Sequence, residues 1–374
     1  VNNLKTKKMV QENDYYFAQN MKQPRKEFSV LELFAGAGGL ALGLEAAGLK
    51  CLGLNEIDKW AAATLRKNRP HWNVIENDIR NVSFTNLNGK LDVVVGGFPC
   101  QAFSYAGKKL GLEDARGTLF YEFARVVQET NPLICVGENV RGLLSHDSGK
   151  TLKGMISILD EIGYRVLQPQ VLKAIYYNVP QKRERLFIVG IRKDIDIDFL
   201  YPKPNLNSVP TLKDALKKGK LYDCNVPKSI GVVYPKRKKE ILDLIPPGGY
   251  WRDLPLKLQK EYMQQSFFLG GGKTGIARRI SWLEPCLTLT CSPAQKQTER
   301  CHPDETRPFT VREYARIQTF PDNWEFAGSM AQQYKQIGNA VPVNLAKAIG
   351  ESIIKFLDSY ENNVLRKNFK LEYA

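Results

Sequence analysis

A regular alternation of apolar runs and amphipathic stretches begins at Ser29 and continues for about 160 residues. Ser29–Phe34 (SVLELF) reads as a short apolar strand, and Leu40–Ala47 as a helix by its spacing. Lys50–Asn55 and Lys59–Lys67 repeat the pair, and Asn73–Ile75 adds a third strand. Leu91–Val95 (LDVVV) is continuous and β-branched, as expected of a strand covered on both faces. Leu119–Glu129 reads as helix, Pro132–Val136 as a buried strand, Leu152–Ile162 as helix and Leu186–Ile191 (LFIVGI) as the closing strand. Strands and helices alternating at this pitch predict an α/β fold around a parallel, doubly wound sheet.

The rhythm breaks near Arg192. From there to Pro308 the pattern is irregular, with Pro246-Pro247-Gly248-Gly249, three glycines at 270–272 and clustered lysines, and it predicts a second, smaller domain with few long helices. Thr310–Gln318 and Leu345–Leu357 return to helical spacing. The division expected is a basic N-terminal extension (1–28), one domain from 29–193 plus 336–360, a second from 194–335 with its hinge, and a C-terminal tail (361–374).

The 374 residues are 43% hydrophobic and 25% charged, enough apolar material for a sizeable core and too much for a disordered chain. No apolar run is long enough to span a membrane, and residues 1–28 are polar and lysine-rich rather than of signal-peptide type, so a cytoplasmic protein is expected. Seven scattered cysteines do not form a disulfide framework. Cys286, Cys291, Cys301 and His302 lack the usual spacing of a zinc site, and no metal is expected. A formal charge of +15 points to a polyanionic partner, most simply nucleic acid, although solubility alone would also account for it.

Candidate chemistry sits where predicted strands end. Phe34-Ala35-Gly36-Ala37-Gly38-Gly39-Leu40 lies between a strand and a helix, where glycine lets a ligand approach the main chain. Glu56 follows at the distance where a carboxylate meets ribose hydroxyls, and Asp78 could accept from an adenine amino group. A nucleoside-bearing cofactor is the reading; a nicotinamide site or a purely structural turn competes with it. Gly96-Gly97-Phe98-Pro99-Cys100-Gln101 follows the LDVVV strand, which puts the Cys100 thiol in the crevice beyond the strand ends. Glu138 ends a third apolar run, where a carboxylate is costly unless paired or protonated.

These blocks resemble, in order, those of bacterial DNA cytosine-5 methyltransferases of restriction–modification systems. They are FAGAGG (34–39), PCQ with a following FS (99–104), RGTLF (116–120), ENV (138–140), QKRER (181–185), REYARIQTFP (312–321) and QIGNAVP (336–342), covering about residues 30 to 360. The resemblance implies a Rossmann-like, S-adenosylmethionine-dependent domain with a smaller target-recognition domain between QKRER and REYARIQ. It does not account for residues 1–28.

By that resemblance Cys100 adds to carbon 6 of cytosine, Glu138 holds the ring at nitrogen 3, and Arg185 with Arg183 contacts the base oxygen and restrains Glu138. S-adenosylmethionine would be bound by Phe34, Gly36, Gly38, Gly39, Leu40, Glu56, Ile57, Asp78, Ile79, Gly97, Pro99, Leu119, Asn339 and Val341, leaving S-adenosylhomocysteine. Residues 336–357 should then pack beside the first strand. Gln101, Ser104 and Arg116, with Thr288 or Thr290 of a Thr-Leu element, would contact DNA. The substrate implied is double-stranded DNA with the target base flipped out. A monomer and a cognate restriction endonuclease are also expected. A catalytically idle DNA-binding relative and a nicotinamide dehydrogenase are the competing classes, and transfer RNA the competing substrate.

Overall fold

In the computed structural model, residues 27–99, 118–271 and 273–372 are described. The first helices and strands alternate: β1 (Ser29–Leu33), α1 (Gly39–Ala47), β2 (Lys50–Glu56), α2 (Lys59–Asn68), β3 (Val74–Glu76), β4 (Val93–Gly96), α3 (Leu119–Thr130), β5 (Ile134–Val140) and α4 (Lys150–Glu161). Then come β6 (Tyr164–Val166), β7 (Gln170–Lys173), β8 (Gln181–Lys182) and β9 (Glu184–Arg192). The main sheet has the order β3-β2-β1-β4-β5-β9-β6, and β7 also pairs with β9. The pairings among β1 to β5 are parallel.

The expectation of an all-parallel sheet is corrected at β9, which runs antiparallel to β5, β6 and β7. A continuous apolar run shows that a strand is covered on both faces but carries nothing about its direction. A second correction concerns β5. It extends to Val140, so Glu138 and Asn139 lie inside the strand, paired with Phe187 and Leu186 of β9. Beside it, β4 pairs only as far as Gly96 against Gly137, so β5 overhangs its parallel neighbour and carries Glu138 into the crevice.

Side chains of the sheet alternate between two cores. Val93 and Val95 join Val30, Leu40 and Leu44 in one, while Val94 joins Leu31, Leu33, Phe123 and Ile158 in the other. The first core is closed by the far end of the chain. Helix α10 (Val343–Glu372) lays Leu345, Ile349, Ile353 and Phe356 against α1 and the sheet. The approach is close: a Cβ on Gly43 would stand 2.4 Å from Ala346 Cβ and 2.5 Å from the Val343 carbonyl. Residues 343–357 thus lie beside the first strand-helix unit, and the helix passes residue 360 without a break.

The connecting region has only short elements: α5 (Leu212–Leu216), α6 (Lys236–Asp243), α7 (Leu256–Met263), β10 (Arg278–Arg279), β11 (Cys286–Leu287) and β12 (Arg300–Cys301). Tyr234, Ile241, Trp251, Met263 and Cys301 form a separate small core there. Helices α8 (Val311–Ile317) and α9 (Met330–Asn339) pack differently. Phe320, Trp324 and Ile337 share a core with Ala37, Leu54 and Leu65 next to the glycine loop. No helix among the described residues is long and apolar enough to cross a membrane.

Candidate active site

The glycine loop is held open by its neighbours. Phe34, Gly36 and Gly38 take positive φ angles of 59°, 55° and 85°. At Gly38 a Cβ would also come 2.7 Å from Leu65. The loop then passes under the last block of the chain: a Cβ on Gly39 would lie 2.3 Å from the Val341 carbonyl. Trp324 donates its ring N–H to the Ala37 carbonyl at 3.2 Å. Leu40 begins α1 with its side chain buried.

Glu56, at the end of β2, accepts the Gly36 N–H at 2.6 Å on one carboxylate oxygen and the Asp58 N–H at 2.7 Å on the other. Burial pushes its pKa up, against the pull of those amides. Asp58 caps α2 through the Trp60 and Ala61 amides, and its second oxygen pairs with Lys335 at 2.9 Å. Ile57 between the two acids is 65% exposed, an apolar side chain held in the cleft mouth. Asp78 pairs with Arg80 and caps a short turn, while Ile79 beside it is buried.

These groups line a cleft of about 920 Å³ that continues past Gly97, Pro99 and Leu119 to Glu138, Arg183 and Arg185. Its far wall is Thr288, Leu289, Thr290 and Cys291 together with Gln336, Gly338, Asn339 and Val341. Segments more than 200 residues apart in sequence therefore share one cavity.

Glu138 is buried, and desolvation raises its pKa although Arg185 and Arg183 oppose the rise. Arg185 Nε stands 2.8 Å from Glu138 Oε1 as an ion pair whose angle does not align as a hydrogen bond, so that oxygen keeps hydrogen-bonding capacity. A Cβ on Gly97 would meet Glu138 Oε2 at 3.0 Å. The carboxyl is therefore set against the segment leading to Pro99. Asn139 fixes the same segment by donating to the Phe98 carbonyl at 2.8 Å. Cys100, Gln101, Ser104 and Arg116 lie outside the described residues.

Arg183 is directed differently. Its guanidinium is buried and donates to the carbonyls of Leu289 (3.1 Å) and Gly338 (2.9 Å). It ties the Thr-Leu element and the QIGNAVP block to the sheet. Thr288 donates to the Lys182 carbonyl at 2.6 Å and Thr290 meets Thr298 at 3.0 Å; both stay partly exposed in the cleft. Asn339 is exposed and accepts from the Cys291 thiol at 2.9 Å.

Several residues in and behind the cleft wall were not anticipated. Gln181 and Gln318 are fully buried and bonded at 2.9 Å; Gln181 also accepts from Leu289 N, and Gln318 donates to the Ile337 carbonyl. Glu32 on β1 lines the floor with one oxygen lacking a partner. Only Gln318 had a signal: an uncharged amide between the apolar positions Ile317 and Phe320 implies buried hydrogen bonding, whereas Gln181 opens a charged run.

The donor set has a definite chemical bias. Glu32, Glu56, Asp58 and Asp78 line the part around the glycine loop, where Lys335 and Arg80 neutralise Asp58 and Asp78 and leave Glu56 and the buried Glu32 as its unpaired acids among the described residues. A ligand that presents hydroxyl or amino groups to Glu56 suits this lining better than a diphosphate, which argues against the nicotinamide reading. An open α/β sheet, a glycine loop at a strand end and carboxylates beyond neighbouring strands define a cofactor-dependent enzyme of the doubly wound class. The family model for C-5 cytosine-specific DNA methylase matches residues 28–355. The chain is 66% identical over 333 residues to the type II methyltransferase M.Eco47II of Escherichia coli, covering 88% of this chain and 80% of that one. It is 62% identical over 343 residues to M.PspPI of Psychrobacter sp., covering 91% and 82%. In fold it is similar to a chain encoded within an Escherichia coli prophage (TM-score 0.68, 24% identity, 89% of this chain and 100% of that one). Spodoptera frugiperda DNMT2 superposes with TM-score 0.63 at 17% identity over 88% of this chain and 100% of that one. The chain belongs to the C-5 cytosine-specific DNA methylase family and is a DNA cytosine-5 methyltransferase.

Proposed function

We propose that the chain methylates carbon 5 of cytosine in duplex DNA through a covalent adduct with Cys100, the target base being turned out of the helix. The observation that carries this reading is the buried Glu138–Arg185 pair, set against Gly97 in the cleft that also holds the glycine loop. A stacked base offers no path for a side chain to its ring carbon, so the base must leave the stack at a cost of a few kcal/mol.

Carbon 5 of cytosine is a weak nucleophile. Addition of the Cys100 thiolate to carbon 6 breaks the 5,6 double bond and makes carbon 5 enamine-like. Glu138, kept protonated to higher pH by burial, donates to nitrogen 3 and stabilises the charge gathering there. Arg185 holds the Glu138 carboxyl and faces the base oxygen, while Arg183 acts from behind as a tether. Loss of the carbon 5 proton to water and departure of the thiolate then restore the aromatic ring and free Cys100.

S-adenosylmethionine, when bound, supplies an electrophilic methyl group. Phe34, Gly36, Gly38, Gly39 and Leu40 would hold it from the loop, and Glu56, Ile57, Asp78 and Ile79 at the nucleoside. Gly97, Pro99, Leu119, Asn339 and Val341 would close the remaining side. Cleft acidity supports this assignment, since the ligand carries a sulfonium and an ammonium group. Thr288 and Thr290 would face DNA at the cleft rim, joined by Gln101, Ser104 and Arg116. The type II relatives support a further reading, that a restriction endonuclease of the same specificity is the partner. For a recognition domain (194–335) apart from the catalytic one (29–193 with 336–360), the separate small core at 234–301 is the support, while Phe309, Phe320 and Trp324 pack with the catalytic side.

Methyl transfer from labelled S-adenosylmethionine to plasmid DNA tests the proposal. Cys100→Ala should abolish transfer and the denaturation-resistant complex with 5-fluorocytosine duplex. Retained turnover would remove Cys100 from the mechanism.

A further inference from the structure

One loop of the connecting region leaves two large apolar side chains in water side by side. Phe268 is 79% and Leu269 66% exposed, followed by Gly270 and Gly271. Single exposed apolar residues are ordinary on a protein surface; an adjacent pair at the tip of a braced loop is not explained by packing.

The bracing is specific. Phe267 packs edge-on against the buried Trp251 at 6.0 Å between ring centroids and against Phe268 at 5.2 Å. Trp251 also donates its ring N–H to the Lys273 carbonyl at 3.1 Å, so one buried indole holds both feet of the loop. The Lys273 ammonium donates inward to the carbonyls of Ser266 and Leu269, fixing the turn that carries the exposed pair. Further along, Arg300 donates to the Gly275 carbonyl at 3.0 Å and to the Thr288 carbonyl at 3.4 Å. The loop thus stands on the same framework as the cleft wall.

Two cationic side chains stand at its base. Lys260 lies 6.0 Å from the Phe267 ring and Arg252 5.2 Å from the Trp251 ring. An apolar tip with cations at its base suits a duplex, whose phosphates attract the flanks while its base steps accept an apolar wedge. We propose that Phe268 and Leu269 form a wedge that enters the DNA duplex at a base step, unstacking it when the enzyme engages its site. This rests on the DNA methyltransferase reading of the cleft and adds to it a second point of helix distortion.

The test uses the full chain and duplexes carrying 2-aminopurine at successive positions of the methylated site. Wild-type binding should raise fluorescence at the wedged step as well as at the target. The double variant Phe268→Ala, Leu269→Ala should lose the first signal and keep the second. Its KM for DNA should rise about ten-fold, the scale of one lost base-stacking contact, with KM for S-adenosylmethionine unchanged. The slope of log affinity against log salt should stay the same, because no phosphate contact is removed. Phe268→Trp should restore binding. Both side chains are exposed, so thermal melting should match wild type and report that the variant folds.

A double variant with wild-type KM and both fluorescence signals would overturn the wedge, as would a loss accompanied by a shallower salt slope. Failure of the parent reading looks different: wild-type enzyme would then methylate no duplex at all.

Discussion

Glu32 brings a carboxyl into the sheet where a charge is poorly tolerated. It is buried, one oxygen lacks a hydrogen-bond partner, and desolvation, then the nearby Glu56, raises its pKa well above the ordinary glutamate value. The folded state therefore holds this proton more tightly than the unfolded chain. Stability from that preference is complete below the unfolded pKa, about 4.3, and is lost as pH rises through the higher folded value. Urea unfolding of the ligand-free protein at pH 5, 6.5 and 8 should show Glu32→Gln gaining on wild type as pH rises. A constant difference across that range would refute the assignment.

The thiols separate in the same way. Burial pushes Cys51, Cys135 and Cys286 up to about 12 and Cys301 up to about 11, so none forms appreciable thiolate near neutrality. Among the described cysteines, Cys224 and Cys291 are the exposed ones. Native alkylation with iodoacetamide at pH 8, read by peptide mass mapping, should label Cys224 first, Cys291 more slowly because desolvation raises its thiol pKa and Asn339 holds its proton, and spare the other four. At this scale Glu56 stood out by its distance from the glycine loop, and Glu138 because a carboxylate in an apolar run needs a reason. Arg183 was legible as a motif residue but not as a tether: its carbonyl partners lie 106 and 155 residues away. Nothing local in QKRER points to them.

Among elements, the contact of α1 with α10 is a close joint between distant parts of the chain. Gly43 permits it, since a methyl group there would collide with Ala346 Cβ, the Val343 carbonyl and the Lys347 amide, all within 2.6 Å. Gly43→Ala should cost about 1–3 kcal/mol by overpacking and weaken cofactor binding, because Val341 sits two residues before the displaced helix. Equilibrium unfolding with cofactor titration checks both effects; unchanged stability would mean that the helices part freely. The periodicity from Ser29 to Ile191 revealed most of this layer, since long helices and buried strands carry strong patterns. The strands β6 (YRV) and β7 (QVLK) escaped notice because at three and four residues, with polar side chains interspersed, they show no apolar run of the kind that marked the other strands. The direction of β9 escaped because polarity patterns are the same read either way.

For the molecule as a whole, the formal charge of +15 sets how it meets DNA. Counterion release should dominate non-specific affinity, with a loss on the order of 10³ between 50 and 200 mM salt if six or more phosphates are neutralised. Filter binding over that range measures the slope, and a flat response would reassign the charge to solubility. The break at Arg192 was visible in the sequence as a loss of rhythm. The resemblance implies residues from 336 onward beside the first strand; the return of α8 to the side of the glycine loop was not visible, because its helical spacing says which face is apolar and nothing about what covers it.

The position of that returning block has a consequence for synthesis. Val341 completes a cleft begun at Phe34, and α10 packs against the helix that follows the glycine loop, so a growing chain cannot assemble this pocket until a block about 300 residues further on has been made. Fragments that stop short of that block would be silent toward DNA.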